Sequence, residues 1–154
     1  MTSTIVVRNA REQDISALAD FNVAMARETE NKLLSAAKVK AGMRAIIRDP
    51  DHGFYLVAEL RGQVAGSLLV TREWSDWRNG VFWWIQSVYV PPELRKRGIY
   101  RALYDAVKAR AKSNPEVCGF RLYVAKGNRA AMSVYSKLGM SETEYRIYEE
   151  SLWE

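Results

Sequence analysis

The sequence has few of the residues from which many active sites are built. Its 154 residues include one cysteine, Cys118, and one histidine, His52. A single cysteine excludes an intrachain disulfide and favours a reducing compartment, so we expect a cytoplasmic protein. One histidine and one cysteine are too few for the common zinc sites, and we expect no metal. Cys118 falls in an apolar, strand-like run, which predicts a buried structural thiol.

Long apolar runs are also missing. No run is long enough to cross a bilayer, and the N-terminal residues lack the apolar core of a secretory signal. We therefore expect no membrane partner. A chain of this length suits one hydrophobic core, which predicts a single domain over residues 1–154.

Charge is concentrated in one segment. The whole chain carries a net charge of +5, whereas residues 95–112 alone hold seven basic residues and one acidic residue. The remainder of the chain is therefore nearly neutral. A focused positive patch suits a compact polyanion better than a long duplex, so nucleic acid is not expected as a partner.

The pattern of apolar residues predicts a mixed α+β fold with the element order β-α-α-β-β-β-α-β-α-β. The predicted strands are 4–10, a hairpin over 53–74 that turns at Arg61-Gly62, 81–90, 117–125 and 140–153; the predicted helices are 11–28, 31–49, about 98–113 and 128–139. A helix between the strands 81–90 and 117–125 predicts that these two pair in parallel. The earlier strands should form an antiparallel meander.

The segment "VYVPPELRKRGIYRALYDAV", residues 88–107, contains a strand, a basic turn and the start of a helix. The first N–H groups of a helix have no partner within the helix and carry the positive end of its dipole. Basic residues at that end oppose the dipole, and a bound phosphate would remove the conflict. Gly98 would let the backbone approach such an anion closely.

This segment resembles the acyl-CoA-binding motif of the GNAT N-acetyltransferase superfamily. The family pattern is Arg/Gln-x-x-Gly-x-Gly/Ala after a strand and a Pro-Glu pair; Arg95, Lys96, Arg97 and Gly98 match it, and Tyr100 stands where Gly or Ala is usual. A second stretch, "NRAAMSVYSKLGM", is similar to the family's Asn-x-x-Ala-x-x-x-Tyr-x-x-x-Gly-Phe helix. Asn128, Ala131, Tyr135 and Gly139 fit it, with Met140 in place of Phe.

The resemblance implies an acetyl-CoA-dependent N-acetyltransferase whose amine acceptor attacks the acetyl group directly. It implies a central, mostly antiparallel sheet in which the strand 81–90 is bulged and splays from its one parallel neighbour. The implied cofactor contacts are Val88, Val90, Arg95, Lys96, Arg97, Gly98, Tyr100, Arg101 and Asn128. Val88 N–H is the implied donor to the acetyl carbonyl, and Tyr135 the implied general acid for the leaving thiolate.

The general base is left open by the sequence. Many members of the family place a carboxylate on the strand equivalent to 81–90, but here Gln86 stands near that place and cannot accept a proton. Glu73 and Asp76 are the candidates nearby in sequence. Two further acids, Glu28 and Glu30, lie where the family binds its acceptor.

Four of the five tryptophans fall in "REWSDWRNGVFWW", residues 72–84. Trp83 and Trp84 are expected in the core, whereas Trp74 and Trp77 lie in or beside a polar loop. With Glu73 and Asp76 they would suit a cationic amine, on a small molecule or a protein, in one pocket that Glu28 and Glu30 also line. A homodimer contact is the rival interpretation. Gln86 and Tyr100 also leave open a second function, that of an acyl-CoA-binding sensor without turnover.

Overall fold

The computed structural model describes residues 4–153, which contain a five-stranded mixed sheet in the order β1-β2-β3-β4-β5. The strands are β1 (Ile5–Asn9), β2 (Phe54–Leu60), β3 (Gln63–Ser75), β4 (Gly80–Tyr89) and β5 (Val117–Arg121). The first four pair antiparallel in sequence, and β4 pairs in parallel with β5. The predicted mixed sheet with one parallel pair is confirmed.

Four helices accompany the sheet: α1 (Ile15–Glu30), α2 (Ala36–Arg48), α3 (Ile99–Lys112) and α4 (Arg129–Lys137). The second begins later than expected. Asn31 takes a left-handed conformation and ends α1, and the Ser35 side chain accepts a hydrogen bond from Lys38 N to cap α2. Leu33 therefore lies outside the helix and is 81% exposed, because the cap and not the apolar spacing sets where α2 begins.

The β2–β3 hairpin turns where the sequence predicts. Arg61 and Gly62 both have positive φ, 54° and 75°, which matches the twist of the flanking strands in a two-residue hairpin. β3 and β4 are joined by the exposed turn 76–79, whose last residue, Asn79, also has positive φ.

Both faces of the sheet are covered by helices. On one face, α1 and α2 contribute Ile15, Leu18 and Met43 to a buried cluster with the sheet residues Tyr55, Val57 and Leu69. The helix α3 contacts β1, β2 and β3, and buries Ile99, Leu103, Tyr104 and Val107. The central strands are consequently apolar on both sides, as the near-continuous hydrophobic run of β4 predicts.

Two expectations for the later part of the chain are wrong. Cys118 is exposed, because β5 is the last strand of the sheet and lies at its edge. Residues 140–153 form no strand, and 141–153 are all exposed. An alternating pattern says which side chains a strand would bury, but a strand also needs a neighbour to supply hydrogen bonds, and alternation carries no information about that neighbour.

The described chain divides into two compact units, one ending at Tyr123 and one beginning at Val124. In the second unit, Asn128 Oδ1 accepts from Ala131 N at 3.2 Å and caps α4. Gly139, with φ 94°, ends the helix, and Met140 N donates to Tyr135 O at 3.0 Å. These are the hydrogen bond and the glycine of a Schellman motif.

An ion-pair network fixes the start of α1 to the sheet. The carboxylate of Asp14, only 5% exposed, accepts two hydrogen bonds from Arg8, at 2.7 and 3.0 Å, and one from Arg11 N at 2.7 Å. Arg8 also donates to Glu59 at 2.7 Å. The hydrogen bonds from Arg8 hold the pKa of Asp14 below its usual value, against the opposing effect of burial.

We expect Asp14→Asn to lower the free energy of unfolding by about 1.5–3 kcal/mol at pH 7, the usual value of a hydrogen bond to a charged group. Because the folded pKa is depressed, this stabilisation is present above the unfolded pKa of about 4 and is lost as the pH falls through the folded pKa. Urea unfolding of mutant and wild type should therefore differ at pH 7 and converge towards pH 3. Asp20→Asn, an exposed change on α1, is the control. An equal difference at both pH values would contradict the role of the charge.

Candidate active site

A bulge interrupts β4 on the side that faces β3. Ser67 lies opposite Tyr89, but Leu69 lies opposite Gln86, so two residues of β4 face one residue of β3. The extra residue falls at Ser87 or Val88, and Ser87 has a φ of 52°. A bulge of this kind bends the strand and redirects its backbone groups. The bulge implied by the family resemblance is thus present.

On its other side, β4 separates from β5. The parallel pairing runs from Val81–Val117 to Trp84–Arg121, where β5 ends. β4 continues to Tyr89, and beyond Trp84 no described strand pairs with its β5-facing edge. Backbone donors and acceptors along this edge are therefore available to an extended ligand that adds itself to the sheet.

The basic turn leads into α3 through two residues with positive φ, Lys96 at 64° and Gly98 at 83°. Gly98 is the N-cap of α3, and no side chain caps the helix. A cavity of about 250 Å³ opens here, lined by Val90, Leu94, Arg95, Lys96, Gly98, Ile99, Tyr100 and Arg101. Six of the nine residues implied as cofactor contacts line it. Tyr100, the departure from the family pattern, stacks along the helix on Tyr104, with ring centroids 6.3 Å apart.

The donor set at this cavity fits an acyl-CoA. Uncapped N–H groups at the start of α3 and the cationic side chains of the turn suit the pyrophosphate. The open edge of β4 suits the amide groups of a pantetheine arm. Among residues 4–153, no group of three or more His, Cys, Asp or Glu side chains could hold a metal ion. No helix in the same range is long and apolar enough to cross a membrane.

Glu28, expected at the acceptor site, is engaged by two neighbours. Its carboxylate accepts from Tyr89 OH at 2.7 Å and from Arg95 at 2.9 Å. The hydrogen bond from Tyr89, and then that from Arg95, lower the pKa of Glu28, while burial and the neighbouring carboxylate raise the pKa of Tyr89 to about 12. Glu30 is more exposed and lies 3.7 Å from Lys32.

Glu73 belongs to a different cluster, on the sheet face that carries α1 and α2. Its Oε1 accepts from Trp84 Nε1 at 3.0 Å and from Arg121 at 2.8 Å. The hydrogen bond from Trp84, together with that from Arg121, lowers the pKa of Glu73 despite partial burial. The Arg121 guanidinium also lies over the ring of Phe82, 3.7 Å from its centroid.

Glu28 and Glu73 are expected to line one pocket, but their partners lie at different positions along the sheet. Tyr89, the partner of Glu28, lies opposite Ser67, and Glu73 is six residues farther along β3, a separation of about 20 Å at the usual rise per residue. Of the remaining candidates, Asp76 accepts from Trp77 N at 2.9 Å within the β3–β4 turn. Trp74 and Trp77 are 60% and 86% exposed, so this hairpin carries an aromatic surface.

Several residues of these clusters were not singled out from the sequence. The sequence alone indicates only that Tyr89 and Arg121 are strand residues; Tyr89 stands two residues before Pro91-Pro92, and Arg121 is the one charged residue of "FRLYV". Gln86 donates to Thr71 at 2.6 Å, which holds its amide on β4. Asn128 and Tyr135 lie in the second unit, where Asn128 serves as the cap of α4.

Comparison with known proteins agrees with this geometry. The model of the acetyltransferase (GNAT) family matches residues 17–140. A possible acetyltransferase from Clostridium difficile 630 is 39% identical, with a TM-score of 0.89 over 97% of this chain and 99% of that one. No functionally curated protein matches the sequence significantly. The chain belongs to the GNAT acetyltransferase family.

Two more distant structures share the fold. A predicted acetyltransferase from Clostridium acetobutylicum, solved with acetyl-CoA, is 19% identical with a TM-score of 0.77, covering 96% of each chain. The aminoglycoside N-acetyltransferase AAC(6')-Iy, solved in complex with CoA, is 19% identical with a TM-score of 0.76, covering 99% of this chain and 98% of that one. At this identity the likeness concerns the fold alone.

Gly98→Ala and Gly62→Ala form a matched pair for testing the helix start. Both glycines have positive φ, and a Cβ at either would meet nothing within 4 Å. Each change should therefore cost about 1–2 kcal/mol of stability. Only Gly98→Ala should weaken CoA binding, by about tenfold or more in a calorimetric titration, because relief of the strain would move the backbone at the start of α3. Equal affinities of the two variants would contradict the assignment.

Proposed function

We propose that the protein is an acetyl-CoA-dependent N-acetyltransferase that transfers the acetyl group by direct attack of a primary amine on a small cationic molecule or a protein. The observation that carries the proposal is the open edge of β4, next to the glycine-containing start of α3. One element offers backbone pairing and the other offers anion binding, and the two are consecutive in the chain. Acetyl-CoA has both an amide-containing arm and a pyrophosphate.

The bulge supplies the polarising group in this proposal. The backbone N–H of Val88 donates to the carbonyl oxygen of the acetyl group, where negative charge develops as the amine attacks. One such donor typically lowers the barrier by ~3 kcal/mol. The bulge supports this role because it redirects backbone groups of β4 at Ser87 and Val88. Attack forms the new C–N bond, and collapse of the tetrahedral adduct breaks the C–S bond.

Tyr135 is the proposed general acid, which donates the proton that the departing thiolate takes up. Its support is the match of the second motif, in which Asn128 and Tyr135 keep the family spacing on α4. The proton lost by the amine is proposed to reach Glu73 or Asp76 through water. Direct transfer to Glu73 is excluded because this residue lies opposite Phe82, six residues along β4 from the Val88 N–H, or about 20 Å. A depressed pKa makes Glu73 a weak base but keeps it charged at neutral pH, which favours attraction of a protonated amine.

The exposed hairpin of β3 and β4 is proposed as the acceptor surface. Trp74 and Trp77 present aromatic faces, and Glu73 and Asp76 are carboxylates of the same segment. Amines of the lysine type are protonated at neutral pH, and a ring face attracts such a cation by about 0.5–2 kcal/mol.

The alternative is an acyl-CoA-binding sensor without turnover. It is favoured by Gln86, whose amide is held by Thr71 and cannot act as a base on β4. Release of free thiol from acetyl-CoA in the presence of a panel of polyamines, aminoglycosides, amino acids and lysine peptides separates the two. Amine-dependent release supports the transferase. CoA binding by calorimetry with no release from any amine supports the sensor.

Tyr135→Phe should reduce turnover by about 10²–10⁴-fold, the usual contribution of proton transfer by a side chain. The change keeps the ring and removes only the hydroxyl, so CoA affinity should stay nearly constant. Tyr148→Phe, at a residue 93% exposed in the same unit, is the control and should keep wild-type turnover. Wild-type turnover of Tyr135→Phe in an assay limited by the chemical step would refute the role.

Asp76→Asn and Trp77→Ala distinguish an acceptor surface from a subunit contact. If the hairpin binds the acceptor, Asp76→Asn should raise the KM for the amine or lower kcat, with no change in CoA affinity. If the exposed tryptophans form a homodimer contact, Trp77→Ala should alter sedimentation and leave the acceptor kinetics unchanged. Analytical ultracentrifugation and steady-state kinetics on the two variants decide between these outcomes.

A further inference from the structure

The carboxylate of Glu28 lies at a junction of three elements. Its Oε1 accepts from Tyr89 OH at 2.7 Å, and its Oε2 accepts from the Arg95 guanidinium at 2.9 Å. Glu28 belongs to the last turn of α1, Tyr89 is the last residue of β4, and Arg95 begins the basic turn. One side chain therefore joins the end of a helix to the end of a strand and to the turn that follows it.

The guanidinium of Arg95 is held on three sides. Besides its bond to Glu28, its Nε donates to Val90 O at 2.8 Å, and its Cζ lies 5.5 Å from the ring centroid of Tyr89. That ring is 6% exposed and packs against Phe21 of α1, with centroids 5.4 Å apart. An arginine without these contacts would lose rotamer entropy when it bound an anion, whereas here much of that ordering precedes the ligand.

Both partners of Glu28 lie at or beside the cavity proposed for acyl-CoA. Val90 and Arg95 line the cavity at the start of α3, and Tyr89 directly follows the bulge at Ser87–Val88. In contrast, Tyr89, which donates to Glu28, lies opposite Ser67, and Ser67 is about 20 Å along β3 from Glu73 and the aromatic hairpin. Its contacts connect it with the cosubstrate and not with the surface proposed for the acceptor.

We propose that Glu28 is a positioning residue for acyl-CoA, which orients Arg95 for the pyrophosphate and holds the end of β4 beside the bulge. The proposal rests on the proposed function in one respect, namely that acyl-CoA binds at the start of α3. It differs from a role of Glu28 in binding the amine, because it links this carboxylate to cosubstrate affinity alone.

Removing the Glu28 charge has two effects of opposite sign on CoA affinity. The direction of the measured change therefore shows which effect prevails. A carboxylate near a polyanion repels it, so loss of the charge alone would tighten CoA binding. Loss of the bridge frees the Arg95 side chain and would weaken binding. At 0.15 M salt, exposed charges are screened beyond about 8 Å, and we expect the loss of order to prevail, with affinity falling about two- to tenfold.

Glu93 offers a matched control. Its charge acts on Tyr89 as that of Glu28 does, but it is exposed and forms no hydrogen bond with Tyr89 or Arg95 among the described contacts. Glu93→Gln thus removes a nearby negative charge without breaking the bridge. It should leave CoA affinity unchanged or slightly higher.

The test is calorimetric titration of CoA into wild type, Glu28→Gln, Glu93→Gln, Arg95→Gln and the double variant Glu28→Gln/Arg95→Gln. Glu28→Gln should weaken binding in the wild-type background and have no effect in the Arg95→Gln background, because the orienting role needs the guanidinium. Tyr89→Phe, which removes one donor to Glu28 and keeps the ring, should weaken binding less and in the same direction. Thermal unfolding of each variant verifies that it is folded at the titration temperature.

Each other outcome overturns the proposal. Unchanged or tighter CoA binding by Glu28→Gln would show that its charge acts only through space. Additive losses in the double variant would show that Glu28 does not act through Arg95. If wild type binds CoA and Gly98→Ala binds it equally well, the location of the site is wrong, and with it both this inference and the proposed function; if only the Glu28 result fails, the proposed function stands.

Discussion

The site depends on how far β4 pairs with each of its two neighbouring strands. Its pairing with β5 ends before its pairing with β3 does. Against β5 its pairing stops at Trp84, while against β3 it continues to Tyr89 with a bulge at Ser87–Val88. If the parallel pairing continued to Tyr89, β5 would occupy the edge that an extended ligand needs. If β4 ended at Trp84, the bulge and the turn after it would have no support. The antiparallel neighbour therefore keeps the strand ordered where the parallel neighbour leaves it open.

Local signals in the sequence predicted most of the fold. Gly62 predicts the hairpin because glycine adopts positive φ readily in a tight turn, and the apolar run on both faces of β4 predicts its central place. Predictions were wrong where the structure or exposure of a segment depends on residues distant in sequence. Residues 140–153 alternate like a strand but form none, and Cys118 is exposed because β5 has a neighbour on one side only.

The candidate site also has a part that consecutive residues determine and a part that residues distant in sequence determine. The turn, Gly98 and the start of α3 follow from consecutive residues, and the structure places them at one cavity. The two salt bridges do not follow from consecutive residues. Glu28 and Arg95 are 67 residues apart in sequence, and Glu73 and Arg121 are 48 apart. Each of these carboxylates was considered as a free acid near the acceptor. Pairing with an arginine changes what either can do, and that pairing is set by the register of β3, β4 and β5 and by the packing of α1.

Ion pairs also offset part of the positive charge that is concentrated at the start of α3. Cations at the N-terminus of a helix oppose its dipole. Arg95 is paired with Glu28 at 2.9 Å, and Arg101 with Asp105 at 3.1 Å, so these two charges are offset within the protein. Lys96 and Arg97 form no salt bridge among residues 4–153. The charge without an ion-pair partner is thus confined to two adjacent residues just before Gly98, beside the uncapped N–H groups, whereas Arg95 is held in place by its pairing with Glu28.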